Sequence, residues 1–143
     1  MNLKHHAKNL EQLFEKEIKK ELPVALMPDG SLVFENFKIR QTKKGTWDVL
    51  RRNGTKVDTF NLKACALMGA KLYGKNRLIA YNEVKFLDQK YQNNANDAEI
   101  FKYRYTTTKD TERKDLFLWR WEITKTRAKD AKQQISNKFR TMF

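Results

Sequence analysis

The chain has 143 residues, with 30 Lys/Arg against 17 Asp/Glu for a net charge of +13, and 40% hydrophobic residues. At this length one domain with one core is the default, so 1–143 is read as a single α+β domain; 5 Gly and 2 Pro exclude a low-complexity chain. The single cysteine, Cys65, excludes an internal disulfide framework, and no apolar run approaches the roughly 20 residues that span a bilayer.

Residues 3–22 predict an amphipathic helix, because Leu3, Ala7, Leu10, Phe14 and Ile18 recur at spacings of three and four. Pro23 ends it. An antiparallel β-meander follows, with a short strand at 24–27, turn chemistry at Pro28-Asp29-Gly30, and a longer strand over 32–41 bent near Glu35-Asn36. Lys43-Lys44-Gly45 makes the next turn, 46–52 the next strand, and Asn53-Gly54 the strongest short hairpin signal before a strand at 55–60. Asn61 is placed as the cap of a helix over 62–73, whose small residues Ala64, Cys65, Ala66, Gly69 and Ala70 suit close packing on a sheet. A second helix is expected over 76–92, with Ala80, Val84, Leu87 and Tyr91 on one side, and a loop at Asn93-Asn94-Ala95-Asn96. Phe101, Tyr103 and Tyr105, then Phe117, Trp119, Trp121 and Ile123, alternate with other residues on either side of a charged tip. That period of two predicts a second β-hairpin. A C-terminal helix over 126–142 closes the chain, with Ala128, Ala131, Ile135, Phe139 and Met142 on one face.

Two registers of the first hairpins are open. A two-residue turn at Lys44-Gly45 would put Trp47 and Phe60 beside Lys38, Arg40, Arg51 and Lys56, which is the pattern of a single-strand stacking platform. A three-residue loop with Gly45 in the left-handed region flips the earlier strand. Phe37, Ile39, Trp47, Val49 and Phe60 then form core, and Lys38, Arg40, Leu50, Arg52 and Val57 share the other face. The second is favoured because it gathers more apolar residues on one side. In both, Lys38 and Arg40 point away from Ile39.

Charge is unevenly placed: residues 38–63 hold eight Lys/Arg against two Asp/Glu, and 109–143 hold ten against five. Such an excess favours polyanion partners. Catalytic signals are absent. Gly69 and Gly74 sit in a helix without a phosphate-loop ending, adjacent His5 and His6 diverge on a helix, and Cys65 reads as a packed thiol. Asp48 and Asp58 point to opposite faces, so they do not converge on a cation. No enzyme activity, cofactor or metal site is expected. The first six residues lack the apolar core of a secretory signal, so a cytoplasmic location and no membrane partner are expected.

Lys outnumbers Arg 21 to 9. With the stretch Lys38-Ile39-Arg40, Gly45-Thr46-Trp47-Asp48-Val49 and Phe60-Asn61-Leu62-Lys63, the chain resembles small uncharacterised proteins of marine tailed phages. That resemblance implies a viral or environmental origin, with a host cytoplasm if viral, and no functional residue. The order helix, strands, helix also resembles the double-stranded RNA-binding module, although Lys63, Lys71 and Lys75 are scattered where that family has a closing run of lysines. The function expected is non-sequence-specific nucleic-acid binding by an accessory protein, with Lys38, Arg40, Lys43, Lys44, Arg51, Arg52 and Lys56 contacting phosphates. The alternative is a structural or assembly protein that binds an acidic partner or forms a homo-oligomer, through the aromatic hairpin or the C-terminal helix face.

Overall fold

The computed structural model describes residues 25–143; the helix expected over 3–22 lies outside them. Five strands, β1 (Ala25–Leu26), β2 (Leu32–Phe34), β3 (Phe37–Gln41), β4 (Trp47–Arg51) and β5 (Lys56–Phe60), form one antiparallel sheet in sequence order. Three helices follow: α1 (Lys63–Gly74), α2 (Leu78–Thr107) and α3 (Thr111–Met142). The α+β class and the meander match expectation.

The loops explain the register. At the β3–β4 turn, the Thr42 amide donates to the Thr46 carbonyl at 2.8 Å and the Gly45 amide to the Thr42 carbonyl at 3.0 Å. Lys43-Lys44-Gly45 is therefore a three-residue loop, and Gly45 supplies the left-handed conformation at φ 91. Ile39 consequently pairs with Val49 and Gln41 with Trp47. This is the register that buries Trp47 and Phe60. The β4–β5 loop repeats the geometry, with the Arg51 amide on the Thr55 carbonyl at 2.9 Å and Gly54 at φ 87. The turn thus takes three residues where Asn53-Gly54 alone had suggested two. A bulge after Val49 absorbs the extra residue, so Val49 still faces Asp58, but Leu50 faces Lys56 instead of Val57. Val57 packs against the core and Lys56 takes its place on the outer face. The bend expected near Glu35-Asn36 is a full reversal, since Phe34 pairs with Phe37 across it.

Helix α1 lies between the sheet and the other helices. Ala64, Cys65, Ala66, Leu67, Met68 and Ala70 have no exposed surface, as a helix apolar on all sides requires. Its small residues set how near the sheet it comes: a Cβ on Gly69 would stand 2.5 Å from the Phe60 ring. Its N-terminus is not capped by Asn61. Instead Asp88, from α2, accepts the Asn61 and Leu62 amides at 2.8 and 2.9 Å and the Asn61 side-chain amide at 3.0 Å.

The second half differs from expectation. Asn93–Asn96 lies inside α2, which runs unbroken for 30 residues, and the Asn94 side chain donates back to the Lys90 carbonyl at 2.8 Å. The second β-hairpin does not form; both its halves are helical, in α2 and in the 32-residue α3. Three alternating aromatics cover little more than one helical turn, so period two and period 3.6 were poorly separated there. What decides is the i,i+4 pairing of Phe101 with Tyr105 and of Phe117 with Trp121 along one helix side. The Tyr105 and Trp121 rings meet at 5.9 Å between the helices, and the Arg104 guanidinium lies 5.9 Å from Phe101 and 5.8 Å from Phe117. Asp110 caps α3 by accepting the Glu112 amide at 3.0 Å. No residue from 99 to 123 is buried, so this stretch forms an antiparallel helical arm outside the main core, which draws on the sheet, α1, the first half of α2 and the second half of α3.

Two substitutions test this packing. Gly69→Ala is expected to lower the unfolding free energy by about 1–3 kcal/mol by pushing on the buried Phe60 ring. Asp88→Ala is expected to cost about 2–4 kcal/mol, since it strips three N–H donors of their acceptor. Urea denaturation followed by far-UV circular dichroism measures both.

Candidate nucleic-acid interface

The meander has one face against α1 and one turned away. On the outer face the ladder makes two rungs: Lys38–Leu50–Lys56 and Arg40–Asp48–Thr59. Neighbouring strands lie about 4.8 Å apart, which places Lys38 and Lys56 about 10 Å apart with Leu50 between them. Leu50 is buried there, and the methylene stems of flanking lysines are suited to lie across such a residue. Asp48 accepts the Thr59 hydroxyl at 2.7 Å beside exposed Arg40.

The seven expected phosphate contacts divide. Lys38, Arg40 and Lys56 share the outer face. Lys43 and Lys44 are exposed at the β3–β4 tip. Arg52 sits at the opposite end of the sheet, about 17 Å away for a five-residue strand, and donates to the Glu35 carbonyl at 3.4 Å. Arg51 does not join them. It pairs with Phe37 on the helix side, donates to the Tyr73 hydroxyl at 2.6 Å and stacks 5.7 Å from that ring. Lys38 is tethered to Asp29 at 3.3 Å. Hydrogen bonds from the Ser31 hydroxyl and amide, together with Lys38, hold the Asp29 carboxyl down at about 2.

Among the described residues the basic outer face carries no large aromatic side chain. Trp47 and Phe60 are buried on the inner side, where Lys63 lies 5.0 Å over Trp47. The stacking platform of the alternative register is therefore not formed.

A second polar group joins the sheet to α2. Asp58 accepts hydrogen bonds from the Tyr81 hydroxyl and from the Lys85 ammonium, the latter at 3.0 Å, and Lys85 also donates to the Thr59 carbonyl. Burial works against the Asp58 charge, but these donors and the Thr59 amide outweigh it and hold the carboxyl below its usual range. Burial and the adjacent Asp58 charge push the Tyr81 hydroxyl well above the ordinary tyrosine value. The cluster is a latch that ties β5 to α2. Asp48 and Asp58 do point to opposite faces. Among the described residues no three His, Cys, Asp or Glu side chains are placed to hold a metal ion, and no helix is long and apolar enough to cross a membrane.

Both surfaces expected for self-association are changed by the structure. Ala131, Ile135 and Phe139 are buried in the core. The aromatic residues diverge around two helices: Phe101, Tyr105, Phe117 and Trp121 are half-buried, while Tyr103 and Trp119 are exposed.

Reasoning from sequence missed Asp88 and the Asp58–Tyr81–Lys85 latch. Asp88 had a visible signal, because it lies within the apolar stripe of Val84, Leu87 and Tyr91, where a carboxylate needs a buried partner. The latch depends on contacts between residues 23 to 27 apart and had none.

The latch has a pH signature. Because the folded pKa of Asp58 is depressed, its stabilisation is fully present above the unfolded carboxylate value and is lost as pH falls through the folded one. Asp58→Asn is therefore expected to be less stable than the native chain near neutrality. The gap should close on acidification, as read from unfolding free energies of both proteins in a pH series. Compared with protein-family models, curated proteins and solved structures, the chain matches none.

Proposed function

We propose that this chain is a nucleic-acid-binding accessory protein that tracks phosphates without strong sequence preference, using the outer face and tips of its meander. The observation that carries the proposal is the register. It sets Lys38, Arg40 and Lys56 on the face away from the helices, continues them into Lys43 and Lys44 at one tip and Arg52 at the other, and turns Trp47 and Phe60 inward. A cationic ridge about 17 Å long without exposed aromatic rings suits the regular phosphates of a duplex better than stacked single-strand bases. Arg51 is withdrawn from the contact set, since its guanidinium serves Tyr73.

Fluorescence anisotropy of labelled duplex and single-stranded DNA over a salt series tests this. Duplex binding is expected to be the tighter, with log affinity falling against log salt at a slope of about −3.6 to −5.4 for four to six neutralised phosphates. Reversing Lys38, Arg40, Lys43 and Lys44 to glutamate together is expected to abolish it, whereas Arg51→Ala leaves it unchanged. No binding of either DNA at low salt would overturn the proposal and direct attention to an acidic protein partner. Tighter binding of single strands would overturn the duplex preference.

A further inference from the structure

The solvent side of α2 carries a seam of exposed apolar residues and carboxamides. Ile79, Phe86, Asn93 and Ile100 follow one another at intervals of seven, and Asn82, Gln89, Asn96 and Tyr103 each lie three residues later. At about 100° per residue, this set lies on the side of α2 opposite Val84, Leu87, Tyr91, Ala95 and Ala98, which are its buried positions. A helix side facing water is normally polar. Here Ile79 is 82% exposed, Phe86 65%, Ile100 47% and Tyr103 69%. A groove of about 570 Å³ between Ile79, Asn82 and Phe86 of α2 and Gln134 and Lys138 of α3 extends the surface at one end.

The geometry points to a second copy of this chain as the occupant, with two α2 helices pairing antiparallel along the seam in a two-fold dimer. Six of these positions, from Phe86 to Tyr103 over about 26 Å of helix, can oppose one another in such a pair, with Phe86 and Ile100 as its apolar members and carboxamides between them. Charge selects the direction. Setting Asn93 opposite Asn96 of the second copy brings Phe86 opposite Tyr103 and Ile100 opposite Gln89. The flanking positions then place Lys90 against Asp97, a pair of opposite sign that occurs twice by symmetry, and bring Arg104 towards Glu83, which already pairs with Lys138 at 3.2 Å. Parallel pairing would instead set Lys90 beside Lys85, which Asp58 already holds, and Asp97 beside Gln92, so neither would meet an opposite charge. The amide layer at Asn93 and Asn96 fixes the register at a cost in stability, so the dimer is reversible. The seam shares no residue with the proposed phosphate contacts, and its failure and theirs are separable.

Sedimentation equilibrium of the full chain across the micromolar range, at near-physiological salt, is the test. A monomer–dimer equilibrium is expected. Phe86→Glu should raise its Kd roughly 30-fold or more with far-UV circular dichroism unchanged, because Phe86 supports no core contact. Lys90→Glu should weaken it roughly tenfold, and adding Asp97→Lys to that variant should restore it. A strict monomer, or a dimer indifferent to Phe86→Glu, would overturn the proposal. Strengthening by Lys90→Glu would overturn the antiparallel arrangement, since relief of the Lys85–Lys90 contact belongs to the parallel one.

Discussion

Asp88 holds the two halves of the molecule in register. The Asn61 and Leu62 amides stand where the chain leaves the sheet and enters α1, and a helix start leaves such donors without intrahelical partners. They cannot turn to water, because Leu62 and the first turn of α1 are buried. A single carboxylate reaching across from α2 accepts both, together with the Asn61 side chain. Burial pushes its pKa up, against the hydrogen bonds and the nearby Lys85 charge that favour the ionised form. Asp88 therefore binds protons more readily folded than unfolded, so its titration lowers stability as pH rises through the raised value, the reverse of Asp58. With α2 anchored there, Tyr81 and Lys85, two turns and one turn before Asp88, come to lie over β5 and close on Asp58. The latch is thus a consequence of the clamp, and the sheet's inner face is committed to the helices at both levels.

That commitment leaves the outer face free of the helices. Phe37, Ile39, Val49 and Phe60 can meet α1 only if Lys38, Arg40 and Lys56 point away from it. Gly45 fixes this choice. A three-residue loop with glycine in the left-handed region shifts the pairing by one relative to a two-residue turn, and every side chain of β3 changes face with it. The cationic face is therefore the obligatory reverse of the hydrophobic one, and its composition sets what it can attract.

These relations also explain what was legible beforehand. The meander could be read because each hairpin combines a glycine or turn dipeptide with alternating strands, both of which are local signals. The β4–β5 bulge could not: Asn53-Gly54 serves two-residue and three-residue turns alike, and only the pairing of Val49 with Asp58 reveals that a residue was inserted. In the second half the same local reasoning failed. Four consecutive residues rich in asparagine read as a loop because asparagine competes with the backbone, yet Ala95 is buried within them and Ala98 one turn on, and tertiary packing overrode propensity. Phe101, Tyr103 and Tyr105 looked like a strand because two periods coincide over so short a span. The candidate contacts were legible as a charge cluster and not as geometry. Arg51 was misplaced because its partner, Tyr73, lies 22 residues away on another element.

The sheet and the seam together suggest why neither needs to be strong. A face with three cations and a tip with two neutralises few phosphates, so a single head would hold a duplex weakly near physiological salt. A dimer with an amide-rich seam would also be weak. Joined, each offsets the weakness of the other, since the second head of a dimer already on a duplex binds at the effective concentration its scaffold sets. Antiparallel pairing about Asn93 and Asn96 would place residue 84 of one copy opposite residue 105 of the other, displacing the two heads by about 30 Å along the helix axis. Linkage then requires reciprocity: a duplex long enough to take both heads would tighten the dimer by the same factor by which dimerisation tightens the duplex.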